Sequence, residues 1–334
     1  MKKILHFADT DSIQTPGGIE KVIKNCIKYS PSGYSATFVK LSNVKKFSFF
    51  NKAFPSKRKI KNIVKELSPD VIHLHGSTPF IWMCIQIILK LKVKIVVTPF
   101  FHQPKFTRRK LLAFLNYFFL RKVLSNNIKV HFCSSYEKNF FNEVKDINSY
   151  VFPPFFISEE KAYFQDKKNI LFVGRDDAHK GLSEFIKVSD YFPYENFIAV
   201  TKPKKKLNLP KNFSVLSDIS DQELDTLYFS GKILIFPSAY ESFGGVFLEA
   251  LSNNCLVICS SMVLGVEFFK GNENLFIYNY SSDEKKNIEN IKIILDKILS
   301  SKISFTHYGK NEKRFNSISK KEHVDSYTRL YSIK

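Results

Sequence analysis

The chain has little with which to cross a membrane or staple itself together. Its longest apolar run, Pro79 to Leu91, is interrupted by Gln86 and Lys90, short of the roughly 20 residues a spanning helix needs. The opening MKKILHFADTDS reaches Asp9 after only a few apolar residues, too few for a signal peptide. The five cysteines, at 26, 84, 133, 255 and 259, are odd in number and scattered, with no C-x-x-C. That excludes a disulfide framework and a cysteine zinc site, and predicts a reducing compartment. Cys26, Cys84 and Cys255 have apolar neighbours, as buried thiols do. The G-x-G-x-x-G fingerprint is also missing, which argues against an NAD-dependent dehydrogenase. Acidic residues are scarce, 31 against 51 Lys+Arg, for a formal charge of +20. A charge of that size concerns partners (nucleic acid, anionic lipid, phosphorylated ligands) rather than fold. Much of the excess is lysine beside abundant Ile, Asn and Phe, a bias that base composition can also produce. No nucleic-acid recognition motif accompanies the charge, so nucleic acid is not an expected partner.

What is present is a core of two-domain size. At 334 residues the chain exceeds the roughly 250–300 residues beyond which single cores stop growing. KKILHF (2–7) reads as a strand, TPGGIE as a glycine loop and KVIKNCIKY as a helix, the order in which doubly wound nucleotide folds begin. Further short apolar strands are expected at 35–41, 71–75, 94–100 and 129–135, with helices between, as in a buried parallel sheet. VFPPFFISEEKAYFQDKK (151–168) joins a Pro-Pro pair to a charged stretch and reads as a linker. A second strand–loop–helix series follows from NILFVGR at 169. It includes a capping box, Ser220 with Glu223, at the start of a helix. The expected organisation is a first Rossmann-like domain over 1–150, the linker, a second over 169–305, and terminal helices over 306–334.

The strongest constellation is PSAYESFGGVFLEA, 237–250, which leaves a strand and opens a helix. Gly244 and Gly245 leave backbone N–H groups unobstructed at the helix start, a ready anion site. Glu241 lies in the loop and Glu249 eight residues on, so both can face one cleft. Carboxylates are good bidentate acceptors for vicinal sugar hydroxyls. Together these describe a nucleotide-diphosphate sugar; the blander alternative is a turn and a surface glutamate. In FVGRDDAHKG, 172–181, Arg175 and Lys180 follow a strand; two cations there suit a diphosphate leaving group, though in isolation such residues are commonly surface charges. Gly17 and Gly18 permit close backbone approach to a phosphate or sugar, or form a plain turn. His73 and His75 end one strand and His102 follows the next. Any of them could meet a reacting sugar, but alternating His73 and His75 share a sheet face and could pack under a helix instead. Asp9 and Asp11 form a D-x-D without acidic neighbours and read as loop chemistry, so no bound metal is expected.

With these residues in view, the chain resembles the family-4 retaining glycosyltransferases of the GT-B fold along nearly its whole length. GGIEKVI, DVIHLHG, the VGR…KG turn and ESFGGVFLEA stand in that family's order, the last being its specific E-x7-E signature. The resemblance implies an α/β protein of two Rossmann-like doubly wound domains facing each other across a cleft, with closing helices crossing back to the first. It implies that Arg175 and Lys180 bind the donor diphosphate, Glu241 lies near the transferred sugar and Glu249 holds ribose hydroxyls. Phe243, Gly244, Gly245 and Val246 bring backbone to the sugar and phosphates. Gly17 and Gly18 close over the donor, and His102, in TPFFHQP, faces the anomeric centre. One departure is Asp218, where such enzymes often have glycine.

The resulting expectation is a cytoplasmic retaining glycosyltransferase, free of cofactor and metal. It moves sugar from a UDP- or GDP-sugar to a glycan or lipid-linked acceptor in bacterial lipopolysaccharide, capsule or exopolysaccharide assembly. The stretches 45–61 and 104–123 interleave basic and large apolar residues, which suits an anchor on the cytoplasmic face of the inner membrane. Competing readings are a non-catalytic nucleotide-sugar-binding homologue, against which the retention of Arg175, Lys180, Glu241 and Glu249 speaks, and a basic nucleic-acid-binding protein.

Overall fold

The computed structural model describes residues 1–9, 17–40, 43, 45–49, 52–101, 110–124, 128–144, 147–154, 167–301 and 320–332. The first elements are β1 (Lys2–Ala8), α1 (Gly18–Lys28), β2 (Tyr34–Val39), β3 (Lys45–Phe49), β4 (Lys52–Pro55), α2 (Lys57–Leu67), β5 (Val71–His75) and α3 (Pro79–Ile88). They continue with β6 (Lys94–Thr98), α4 (Lys110–Leu124), β7 (Lys129–Phe132), α5 (Ser135–Asn139) and β8 (Asn148–Val151). The second half has β9 (Asn169–Val173), α6 (Leu182–Ser189), β10 (Asn196–Val200), β11 (Phe213–Leu216), α7 (Asp221–Ser230) and β12 (Gly231–Phe236). After these come α8 (Gly245–Ser252), β13 (Leu256–Ser260), β14 (Leu275–Tyr278), α9 (Glu284–Ser300) and α10 (Lys320–Tyr331). The chain divides into one unit of Met1–Phe156 with Ile318–Lys334 and a second of Ile157–Ser317. No helix among the described residues is long and apolar enough to cross a membrane.

Each unit holds a parallel six-stranded sheet, in the orders β2-β1-β5-β6-β7-β8 and β11-β10-β9-β12-β13-β14. The strand order reverses between β1 and β5 in the first sheet and between β9 and β12 in the second. That is where doubly wound sheets open a crevice. Local signals set the helix ends. Ser56 accepts from Lys59 N at the start of α2, and Ser220 and Glu223 close a capping box on α7. The hairpin β3–β4 lies inside the basic stretch 45–61; its side chains from 46 to 54 lie outside those described.

The two faces of the first sheet differ. Leu5, Phe7, Ile72, Leu74, Ile95, Val97, Val130 and Phe132 form one core with α3 and α4. Registers β1–β5 and β5–β6 align His6 with His73 and His75 with Thr98 on the opposite face, and His131 shares it. The expectation of apolar residues on both faces is therefore corrected for this sheet. His6 Nδ1 and His75 Nε2 share a hydrogen bond at 2.9 Å, and a hydrogen-bonded chain links His131, Thr98 and His73. His131 donates Nε2–H to the Phe152 carbonyl at 2.9 Å, so its Nδ1 accepts from the Thr98 hydroxyl at 3.0 Å. Thr98 then accepts from His73 Nε2 at 2.8 Å, and His73 Nδ1 accepts from the Tyr331 hydroxyl at 2.8 Å. The carbonyl can only accept, which fixes every direction upstream of it. The chain needs neutral imidazoles, and burial supplies them: His131 falls to about 4 and His73 well below its ordinary range, with neighbouring histidines adding to the effect at His73.

Helix α10 closes that face. Its Tyr327 donates to the Pro154 carbonyl at 3.0 Å, while Tyr34 donates to the Tyr331 carbonyl at 3.2 Å. Lys129 Nζ donates to the Arg329 and Ser332 carbonyls, both at 3.1 Å, and Lys94 also reaches Ser332 O. Two ammonium groups at a helix C-terminus oppose its negative dipole end. The second sheet is apolar on both sides. Ile170, Phe172, Ile233, Ile235 and Ile258 pack with α6 and α9, and Leu171, Leu234, Phe236, Val257 and Cys259 are buried on the other face.

Candidate active site

In the second sheet the crevice lies where β9 and β12 end. The chain leaves β9 into Gly174–Gly181 and leaves β12 into Pro237–Gly244. These loops are fastened together. Ala239 N donates to His179 O at 2.7 Å. Gly181 has φ +80°, and a Cβ there would come within 2.6 Å of the Pro237 ring, so glycine allows both the left-handed backbone and the close approach. Lys180 thereby meets Glu241 in an ion pair, with side chains only 16% and 12% exposed. A pair this shielded is weakly screened by salt and its geometry is held by the fold. Ser238, fully buried, donates its hydroxyl to Glu241 Oε1 at 3.1 Å.

A third loop completes the seat. Glu241 N donates to Met262 O and Leu264 N to Glu241 O, both at 3.0 Å. Gly265 lies so close to Phe243 that a Cβ would meet its carbonyl at 2.3 Å. Gly244 adopts φ +89° as the N-terminal cap of α8, which no side chain among the described residues caps. The amides that open α8 are thus presented beside the Lys180–Glu241 pair, as an anion site requires.

The sequence-predicted residues fall into three groups. Lys180, Glu241, Phe243, Gly244, Gly245 and Val246 share these loops and the start of α8, with the Phe243 ring buried. Glu249 lies one turn further on and accepts from the buried Tyr228 hydroxyl at 3.1 Å. Arg175 lies in the β9 loop but turns outward: its side chain is 80% exposed and pairs with Asp177 at 3.4 Å. His179, between them in sequence, is half-buried, and burial and then Lys180 lower its pKa. In the first unit Gly17 caps α1 and Gly18 opens it, again without a side-chain cap among the described residues. His102 and Asp11 lie outside the described residues. His73 is wholly buried against Tyr327 and Tyr331 of α10, and His75 is buried against His6 and Phe100, so both pack inside the first unit. Asp218 takes φ +55°, the backbone region glycine favours, and pairs with Lys202 at 3.1 Å.

Among the described residues, His6, His73 and His75 are the group that could hold a metal. They offer three neutral imidazoles, and both His73 nitrogens are already engaged. Sequence reasoning missed Tyr228, Ser238 and the 260–265 loop. Ser238 stood inside the PSAYES segment, but its hydroxyl had no visible partner.

Two parallel doubly wound units, one carrying paired acid and base at its switch point, define the two-domain GT-B glycosyltransferase architecture. The chain carries the two halves of a GT-B glycosyltransferase: the model of the glycosyl transferases group 1 matches residues 155–315, and the model of Glycosyltransferase Family 4 matches residues 17–156. An uncharacterized 41.2 kDa protein in the cps region of Klebsiella pneumoniae is 27% identical over 293 residues, 78% of each chain. Among solved structures, Anabaena Alr3699/HepE in complex with UDP and glucose superposes with a TM-score of 0.72 at 13% identity, over 98% of this chain and 99% of that one. WaaG, a glycosyltransferase involved in lipopolysaccharide biosynthesis, superposes with a TM-score of 0.65 at 13% identity, over 96% and 98%.

Proposed function

We propose that the protein moves a hexose-like unit from a UDP- or GDP-sugar to a hydroxyl of a glycan or lipid-linked saccharide, with retention of anomeric configuration, in envelope polysaccharide assembly. The observation that carries the reading is the shielded Lys180–Glu241 pair beside the uncapped start of α8. As the bond from the anomeric carbon to the diphosphate breaks, negative charge grows on the diphosphate. Lys180, Arg175 and the amides of Gly244, Gly245 and Val246 stabilise that charge. The acceptor oxygen bonds to the same face of the anomeric carbon, and its proton passes to the departing phosphate. Glu241 grips the sugar and Glu249 the ribose. Gly17, Gly18 and His102 keep the roles the resemblance implies, donor contact and the anomeric centre. The cations replace a metal, so a chelator leaves the rate unchanged. The UDP and glucose of the Anabaena structure and the lipopolysaccharide role of WaaG support the substrate classes.

Substituting Lys180→Ala or Glu241→Ala tests the reading. Transfer should fall by roughly 100-fold or more in variants that still fold by circular dichroism; normal turnover in either variant removes the site assignment.

The enzyme works at the cytoplasmic face of the inner membrane through α4. Phe114 and Phe118, each 56% exposed, stand one turn apart, and the exposed Lys122 follows another turn on. Phe119 stacks on Trp82, and Tyr117 donates to the Phe140 carbonyl at 2.9 Å, so among the described side chains of α4 Phe114 and Phe118 are the most open aromatics. Vesicles containing anionic lipid should bind the protein in a salt-sensitive way, and Phe114→Ser with Phe118→Ser should abolish binding; no binding by the unaltered protein at low salt refutes the anchor.

A further inference from the structure

We infer that Tyr228 is a positioning residue for the donor nucleotide, holding the Glu249 carboxylate in the orientation that grips the ribose. The inference rests on the role proposed above for Glu249. Tyr228 is only 1% exposed, and its hydroxyl donates to Glu249 Oε2 at 3.1 Å. A phenylalanine would fill the same apolar space without burying a hydroxyl, so the oxygen needs a reason to be there. Burial, and then Glu249, push the Tyr228 phenol well above its ordinary range, so it remains a donor at every working pH.

The residue is also held unusually firmly. Its helix, α7, is locked at the start by the Ser220–Glu223 capping box. At its end Lys167 Nζ donates to Phe229 O at 2.9 Å, Gly231 O at 3.1 Å and Asn253 O at 2.7 Å. The last of these carbonyls follows α8, so one ammonium ties the end of the helix bearing Tyr228 to the end of the helix bearing Glu249. Cys255 adds thiol contacts to the carbonyls of Tyr228 and Gly231 at 3.0 and 3.2 Å. A carboxylate on a helix surface otherwise samples several rotamers. Fixing one oxygen from a rigid neighbouring helix pre-organises it for a bidentate grip on a diol.

The test measures binding of UDP and GDP, and of their 2′-deoxy and 3′-deoxy forms, by calorimetry. The unaltered protein should prefer the ribose form of whichever nucleotide it binds. Tyr228→Phe should weaken that form by about fivefold to tenfold while leaving the deoxy forms nearly unchanged. Glu249→Ala should erase the preference, and Tyr228→Phe added to Glu249→Ala should cost nothing further. Equal weakening of ribose and deoxy forms by Tyr228→Phe, or an undiminished preference, overturns the inference. Should Tyr228→Phe fold poorly, Tyr228→His, which keeps a donor on a smaller ring, should recover part of the preference; an intact Tyr228→His with none of it counts against the inference. If Glu249→Ala keeps the preference, the failure lies in the ribose role of Glu249. If neither UDP nor GDP binds, it lies in the donor reading itself.

Discussion

Both sheets run six parallel strands and both are buried on two faces, yet their buried chemistry differs. The second sheet is apolar on each side, with α6 and α9 over one face and residues such as Leu234 and Val257 on the other. The first is apolar toward α3 and α4 but carries His6, His73, His75, Thr98 and His131 toward α10. An apolar face accepts any well-shaped cover, whereas this face also calls for a hydroxyl opposite His73, which Tyr331 of α10 supplies. The first unit is therefore specified by its last helix in a way the second is not.

Removing residues 318–334 should break the comparison most severely. Strands β1 and β5 should lose amide protection from hydrogen exchange while β9 and β12 keep theirs; equal protection would show that α10 is dispensable.

Acid should produce the next largest effect. His6 and His323 are held near about 3 and His131 near about 4, by burial first in each case. His73 and His75 lie well below the usual value. For a base with a lowered native pKa, the unfolded chain binds protons first. The stabilisation is complete above the unfolded value near 6.5 and is lost as pH falls toward the native one. His131 alone amounts to about 3 kcal/mol by pH 4. Glu137, buried and raised to about 7, acts in the opposite sense, relieving strain as pH falls from 7 toward 4.5. The other facing groups, Cys26, Cys133, Tyr327 and Tyr331, are pushed upward and stay neutral throughout. Lys94, lowered to about 8, is charged across this window. The first unit should thus melt before the second between pH 6 and 4, as followed by calorimetry; simultaneous loss of both units would contradict this.

Two smaller effects sharpen the contrast from the other side. Lys167→Met should cost about 2 kcal/mol in denaturant unfolding of the second unit alone, by orphaning three carbonyls. Ser220→Ala should cost about 1 kcal/mol there.

The second unit was also the more legible in sequence. Its strand–loop–helix rhythm, the Ser220–Glu223 box and the glycine pair opening α8 all depend on residues within a few positions of one another. The Lys180–Glu241 pair needed the resemblance, since 61 residues separate its members. Tyr228 stayed hidden because its partner lies a strand and a loop away, and a tyrosine in an apolar helix looks like core. In the first unit, β3, β4 and β8 escaped because short strands owe their existence to a neighbour. Helix α5 stops at Asn139, where the 141–144 turns take over. The histidines alternated correctly for one sheet face, but only α10, some 250 residues downstream of His73, decides whether that face meets substrate or a helix.

The closure of the first sheet by α10 has a bearing on biosynthesis. Vectorial synthesis normally lets an N-terminal domain finish before its successor emerges. Here the half made first must wait, its imidazoles wet and its central strands half-covered, until the segment around Tyr327 and Tyr331 leaves the ribosome. The half made later needs nothing further and should be the first to mature.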